Sequence, residues 1–198
     1  MTEILTREEE LEIIEYGIER IKANILGMFT IFLTGIIFGV FAESMIFAIF
    51  FFLQRRYAGG YHADTKGRCY IVSVFLITIS MCFIKYIDSG IVICFVLQTF
   101  NIIIIYLFAP VGTANRELDR VEIAVFKKRT RIVGSISYVL ACCFYLNSCF
   151  KIANSIGASN CVIGSLLISG YLKNKIGKKK DESNRKVCSE WRNLFEFF

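Results

Sequence analysis

His62 and Cys69 are the residues of this chain whose types and spacing suit chemistry. His62 is the only histidine in 198 residues, and Cys69 follows it by seven positions. A thiolate is the nucleophilic form of cysteine, favoured by nearby cations and by a helix N-terminus. Histidine is the usual base for activating a thiol. Arg55, Arg56, Lys66 and Arg68 surround the pair, so the stretch from Gln54 to Tyr70 is electropositive. On one continuous helix the two side chains would lie about 10 Å apart along the axis. Proton transfer needs roughly 2.6–3.2 Å or one bridging water. The pair therefore works only if the chain breaks between them, and Asp64-Thr65-Lys66-Gly67 has the turn chemistry for a break. Cys69 then falls in the first turn of the next apolar helix, where the helix dipole favours an anion. On these residues alone, a plain residue at a helix start is the better account of Cys69.

The neighbours divide into helpers and scaffolding. Arg56 suits an acidic part of a substrate or an oxyanion, although both Arg55 and Arg56 also fit simple anchoring at lipid phosphates. Gly59 and Gly60 let the backbone turn beneath the histidine. Asp64 suits orienting His62 as the third group of a triad, or capping the helix that follows. Eight cysteines include no C-x-x-C pair, and a single histidine cannot complete a zinc site. No metal or cofactor is expected.

These residues must be positioned by apolar elements. The chain is 55% hydrophobic with 19 phenylalanines, and its apolar runs approach the roughly 20 residues that cross a bilayer. They recur along the whole sequence, which rules out a lone signal peptide. The expectation is an all-α polytopic membrane protein forming one domain. It has about six transmembrane or re-entrant helices and an N-terminal amphipathic interfacial helix.

In order, residues 1–23 hold that amphipathic helix, with Thr6 and Glu9 as a capping box and Leu11, Ile14, Ile18 and Ile21 as its apolar stripe. Residues 24–53 form a helical hairpin turning near Ala42-Glu43-Ser44. Residues 54–69 are the catalytic loop. Residues 70–172 contain four spans, 70–86, 91–108, 132–150 and 152–172, the third and fourth preceded by a polar 109–131 loop and joined around Lys151, respectively. Pro110, the only proline, ends the second of these spans. Residues 173–198 are a basic tail suited to anionic lipids.

Of the 23 Lys and Arg residues, Lys85 and Lys151 alone fall on one side of this arrangement. The positive-inside rule puts the crowded side, with both termini, the catalytic loop and the 109–131 loop, in the cytoplasm. That distribution explains the formal charge of +6 without nucleic acid.

Arg-Arg-Tyr-Ala-Gly-Gly-Tyr-His-Ala at 55–63, with Cys69 at its distance, closely resembles the signature of the accessory gene regulator B (AgrB) family. The likeness extends to Glu15-Tyr16-Gly17 and to Ala109-Pro110-Val111 opening a polar loop that includes Asn115, and it runs to about Leu172. It implies a cysteine endopeptidase in the plasma membrane, with His62 and Cys69 as its catalytic pair. It implies as substrate an autoinducing-peptide precursor of the AgrD kind, released as a thiolactone ring, and a homodimer among membrane lipids. The residues alone reach only acyl transfer by cysteine. A peptide transporter or a non-enzymatic adaptor is the rival, although the spans carry almost none of the ionisable groups that transport paths use.

Overall fold

A computed structural model describes residues 7–60, 65–87, 91–112 and 119–195 of the chain. It contains six helices: α1 Arg7–Phe38, α2 Phe41–Ala58, α3 Lys66–Tyr86, α4 Ile91–Phe108, α5 Arg120–Leu146 and α6 Phe150–Phe195. Among the described residues there is no strand, as an all-α membrane protein requires.

Three helices contain stretches long and apolar enough to cross a membrane, Gly17–Phe38, Gly67–Tyr86 and Phe150–Ile176, and Cys94–Phe108 is a shorter apolar helix. The distribution of side chains fits that medium. Ile71, Phe75, Phe100 and Leu107 point outward and are exposed, while Gln54, Gln98, Asn101, Ser137, Asn154 and Asn160 are buried. An apolar exterior around polar packing is the arrangement a bilayer favours, because hydrocarbon outside is as apolar as leucine.

α6 is the axis of the bundle, packing against α2, α3, α4 and α5. Its buried stretch is rich in small residues, among them Ala153, Ser155, Ala158 and Ser159, which let neighbouring helices approach closely. Polar groups then join the helices. Gln54 on α2 donates through Nε2 to Asn160 Oδ1 on α6 and to Ser137 Oγ on α5 at 3.2 Å. Asn160 Nδ2 donates to Gln98 Oε1 on α4 at 2.9 Å, and Ser137 donates to Asn160 Oδ1 at 3.1 Å. Four helices are thus tied at one amide. The apolar core of α1, α2, α3 and α6 is built from Ile31, Phe47, Ile77, Met81, Ala158 and Val162.

Several boundaries differ from the sequence expectation. The amphipathic N-terminal segment is not a separate helix: α1 runs unbroken through Lys22, Ala23 and Asn24, since that stretch holds no glycine or proline to stop it. Thr6 lies outside the described residues, as does the Glu9 side chain. The hairpin turns at Gly39-Val40, before Ala42-Glu43-Ser44. Gly39 takes φ 68°, and its N–H and that of Val40 bond back to Ile36 O and Gly35 O at 3.0 and 2.8 Å, closing α1 with a glycine C-cap. Half of the 109–131 loop is helical, because α5 starts at Arg120. Glu122 reaches back to accept the Asp119 N–H at 3.4 Å, the return arm of a capping box. The α5–α6 turn lies at Asn147-Ser148-Cys149 rather than Lys151, and α6 continues through the basic tail to Phe195. The α4 limits agree with expectation, Phe108 being followed by Ala109 and Pro110.

Candidate active site

The C-terminal ends of α2, α4 and the apolar part of α6, with the N-terminal ends of α3 and α5, gather at one end of the bundle. Val111 N–H donates to Ala58 O at 3.0 Å, and Asn174 Nδ2 donates to Gly112 O at 2.8 Å. The Arg129 guanidinium lies 5.5 Å over the Tyr57 ring, and Arg131 lies 5.0 Å over Tyr106. Lys85 and Lys151 belong to helix ends at the opposite pole, where Asn154 Nδ2 donates to Ile87 O at 3.2 Å.

Cys69 sits in the first turn of α3, half-buried. The helix starts where it does because Thr65 is extended (φ −124°, ψ 143°) and its Oγ1 accepts the Arg68 N–H at 3.4 Å. The Cys69 N–H itself donates to Thr65 O at 3.1 Å. The leading amides of a helix have no partner within it, so donors of the Lys66-Gly67 turn are available just ahead of the thiol. A Cβ added to Gly67 would meet nothing within 4 Å, so the turn is open on that side.

The other arm of the loop is tightly held. α2 ends at Ala58, and Gly59 and Gly60 adopt φ 69° and 122°, conformations that side chains rarely adopt. Arg55, partly buried, turns back to donate to the Gly59 carbonyl. Gly59 pairs with Val111 as an isolated parallel bridge, and the Gly60 N–H donates to Val111 O at 3.4 Å. A Cβ on Gly60 would lie 3.2 Å from Leu166 O on α6. The loop after α2 therefore leaves from a point fixed to α4 and α6.

Of the residues singled out in the sequence, Cys69, Arg56, Gly59 and Gly60 fall on this end of the bundle. Arg56 is exposed, with its guanidinium 5.8 Å over the Tyr57 ring. His62 and Asp64 lie outside the described residues. Sequence reading missed Tyr57, Arg129 and Asn174, which join loops distant in the chain. It also missed Thr65 as the cap of α3, although Thr65 preceding Lys66-Gly67 and an apolar run is an N-cap pattern.

A profile of the accessory gene regulator B family matches residues 1–172. The chain belongs to that family. Among curated relatives, a putative AgrB-like protein 2 from Clostridium perfringens strain 13 is 25% identical over 163 residues, covering 75% of this chain and 74% of its own length. The protein FsrB of Enterococcus faecalis OG1RF is 26% identical over 161 residues, covering 78% of this chain and 62% of its own. Accessory gene regulator protein B of Staphylococcus aureus Newman is 24% identical over 124 residues, covering 63% and 65%. No solved structure matches. Family membership places the chain in accessory gene regulation, a quorum-sensing system, and together with its three apolar helices associates it with the membrane.

For an AgrB-family protein the profile limit is informative. It stops at Leu172, inside α6 and just before Lys173 and Asn174. The basic continuation of α6 lies beyond the matched residues.

Proposed function

We propose that this AgrB-family chain is a membrane cysteine endopeptidase that cuts an AgrD-like autoinducing-peptide precursor. Its catalytic pair is His62 and Cys69. The observation that carries the reading is the position of Cys69 in the first turn of a capped helix, at the end of the bundle where the cations gather. α2 ends before His62 and α3 begins after it, which removes the helical separation of about 10 Å. Three residues of chain reach at most about 10 Å, so the tether from His62 to Thr65 is short enough to keep the imidazole near the α3 N-terminus.

In the reaction, His62 removes the Cys69 proton and the thiolate attacks the scissile carbonyl carbon. The C–N bond breaks, the departing amine takes the proton from His62, and a thioester to Cys69 remains. Amides of the Lys66-Gly67 turn are suited to stabilising the oxyanion. A cysteine of the precursor then attacks that thioester, its proton leaving through His62. Cys69 is released and the peptide closes as a thiolactone. The thioester energy is conserved, so the step requires no nucleotide. Arg56 is exposed beside this site and suits an acidic segment of the precursor; Asp64 is proposed to orient His62. The crowded basic end faces the cytoplasm, where the precursor is made, with both termini on that side.

The test uses the full chain in liposomes with a precursor peptide, followed by intact-mass spectrometry. An acyl adduct on Cys69, lost in Cys69→Ser and in His62→Ala, is the expected result. Cleavage that survives in Cys69→Ser would overturn the assignment and favour a transporter or adaptor.

A further inference from the structure

The groove between α4 and α5 is lined by none of the residues given a role in the reaction above. It has a volume of about 660 Å³, and Tyr106 forms its α4 wall. Its α5 wall is one helix face read in sequence: Lys127, Lys128 and Arg131 come first, then Ile132 and Ile136. From Lys128 to Ile136 is about 12 Å at 1.5 Å per residue. The face therefore changes from cationic to apolar over the length of a lipid headgroup and the beginning of an acyl chain.

We infer that this groove binds one anionic phospholipid, with its phosphate on Lys127, Lys128 and Arg131 and its acyl chain along Ile132 and Ile136. Arg131 is already placed for this. Its Nη2 donates to Tyr106 O at 3.1 Å, and its guanidinium stacks 5.0 Å over the Tyr106 ring. Its Nε–H is buried without an acceptor, so the outer guanidinium nitrogens are the ones that face the groove. The Tyr106 hydroxyl is tied to Ser135 Oγ at 2.7 Å, which holds the aromatic wall. The residues that line the groove include these three cations and no carboxylate.

The apolar half distinguishes a lipid from a soluble anion. Ile132 and Ile136 are 48% and 53% exposed, and the apolar lane continues along α5 to Val139 and beside it on α4 to Ile103. Only a ligand with charge at one end and hydrocarbon at the other satisfies both halves. Basic pockets between membrane helices hold lipid headgroups in this way. The inference rests on the membrane embedding of the chain and is independent of the cysteine chemistry.

The experiment is native mass spectrometry of the full chain in mild detergent, titrated with phosphatidylglycerol and with phosphatidylcholine. One phosphatidylglycerol should be retained at least tenfold more strongly than phosphatidylcholine. Lys127→Gln/Lys128→Gln/Arg131→Gln should abolish that preference, and Lys173→Gln/Lys175→Gln should keep it. Ile136→Trp, which fills the apolar half and leaves every charge, should weaken retention of both lipids. It carries the test if the triple variant does not fold. Equal retention of the two lipids, a preference untouched in the triple variant, or retention of both lipids unchanged in Ile136→Trp overturns the proposal. So does displacement of phosphatidylglycerol by glycerol phosphate or by an acidic peptide, which would mark an anion or peptide site. Cys69→Ser should bind lipid like the parent, so failure of the peptidase reading leaves this result unchanged. Release of the chain from membranes by alkaline carbonate would refute the embedding itself.

Discussion

Gly59→Ala and Gly67→Ala place the same added methyl on the two arms of one loop, with opposite expected outcomes. At Gly59 the backbone has φ 69° and ψ −139°, a combination that costs a side chain about 1–3 kcal/mol. The new Cβ would lie 3.1 Å from the Val111 carbonyl carbon and closer still to its oxygen. Relieving that contact means separating Gly59 from Val111. That surrenders the Val111-to-Ala58 and Gly60-to-Val111 hydrogen bonds of 3.0 and 3.4 Å, each worth about 0.5–1.5 kcal/mol net. The combined penalty is about 2–6 kcal/mol, most of it local to the dock. If the dock aims the His62 arm at Cys69, misplacement of about 1 Å lowers the cleavage rate by about 10²-fold. Gly67 lies in the α3 first turn with nothing within 4 Å of its would-be Cβ. Alanine there favours the helix by at most about 1 kcal/mol and should leave cleavage within a few-fold of the parent. The assay is precursor cleavage in liposomes, with thermal unfolding of each variant in detergent. Parental cleavage and parental unfolding temperature in Gly59→Ala would refute the claim that the Gly59–Val111 dock positions the site.

Further outcomes follow from the same geometry. Asn160→Leu removes the shared partner of Gln54, Gln98 and Ser137; Gln54 and Ser137 keep a second bond, so one orphaned group, Gln98, should lower stability by about 1–3 kcal/mol, read as a drop in unfolding temperature. Thr65→Ala removes the α3 cap and should cost about 1 kcal/mol. Hydrogen exchange at the α3 N-terminus should rise and kcat should fall, with Thr65→Ser restoring both. In single-cysteine variants, a membrane-impermeant maleimide should label Cys69 only in inverted vesicles. It should label Cys149, exposed in the turn at the opposite pole, only in right-side-out ones. The reverse pattern would invert the proposed topology.

The local features of the site were legible because their causes are local. A proton transfer between His62 and Cys69 would need a break in the helix, Asp64-Thr65-Lys66-Gly67 has the turn chemistry for one, and α3 starts at Lys66. Pro110 cannot continue a helix, and α4 ends at Phe108. The apolar runs announce helices because hydrocarbon satisfies side chains while the backbone bonds internally. Boundaries differ from expectation where a polar stretch forms a helix. Arg120 to Arg131 is charged yet helical, since charge restricts burial and leaves helix propensity intact. Asn24 follows the polar end of the first segment without ending α1, for want of a breaker.

By itself, then, the sequence determined the all-helical membrane class, the gathering of cations on alternate loops and the position of Cys69 at a helix start. Tertiary structure decided which elements meet. α6 occupies the centre because its small residues admit four neighbours, and one amide, Asn160, joins α2, α4 and α5 to it. Gly59 and Gly60 announced a turn, but that they dock on Val111 and Leu166 is a property of backbones far apart in the chain. Arg56 is the one preferred for a substrate on sequence grounds, but only the fold turns Arg55 inward to Gly59 while leaving Arg56 exposed. Such pairings depend on non-local closure, which leaves no periodic or compositional mark on either partner.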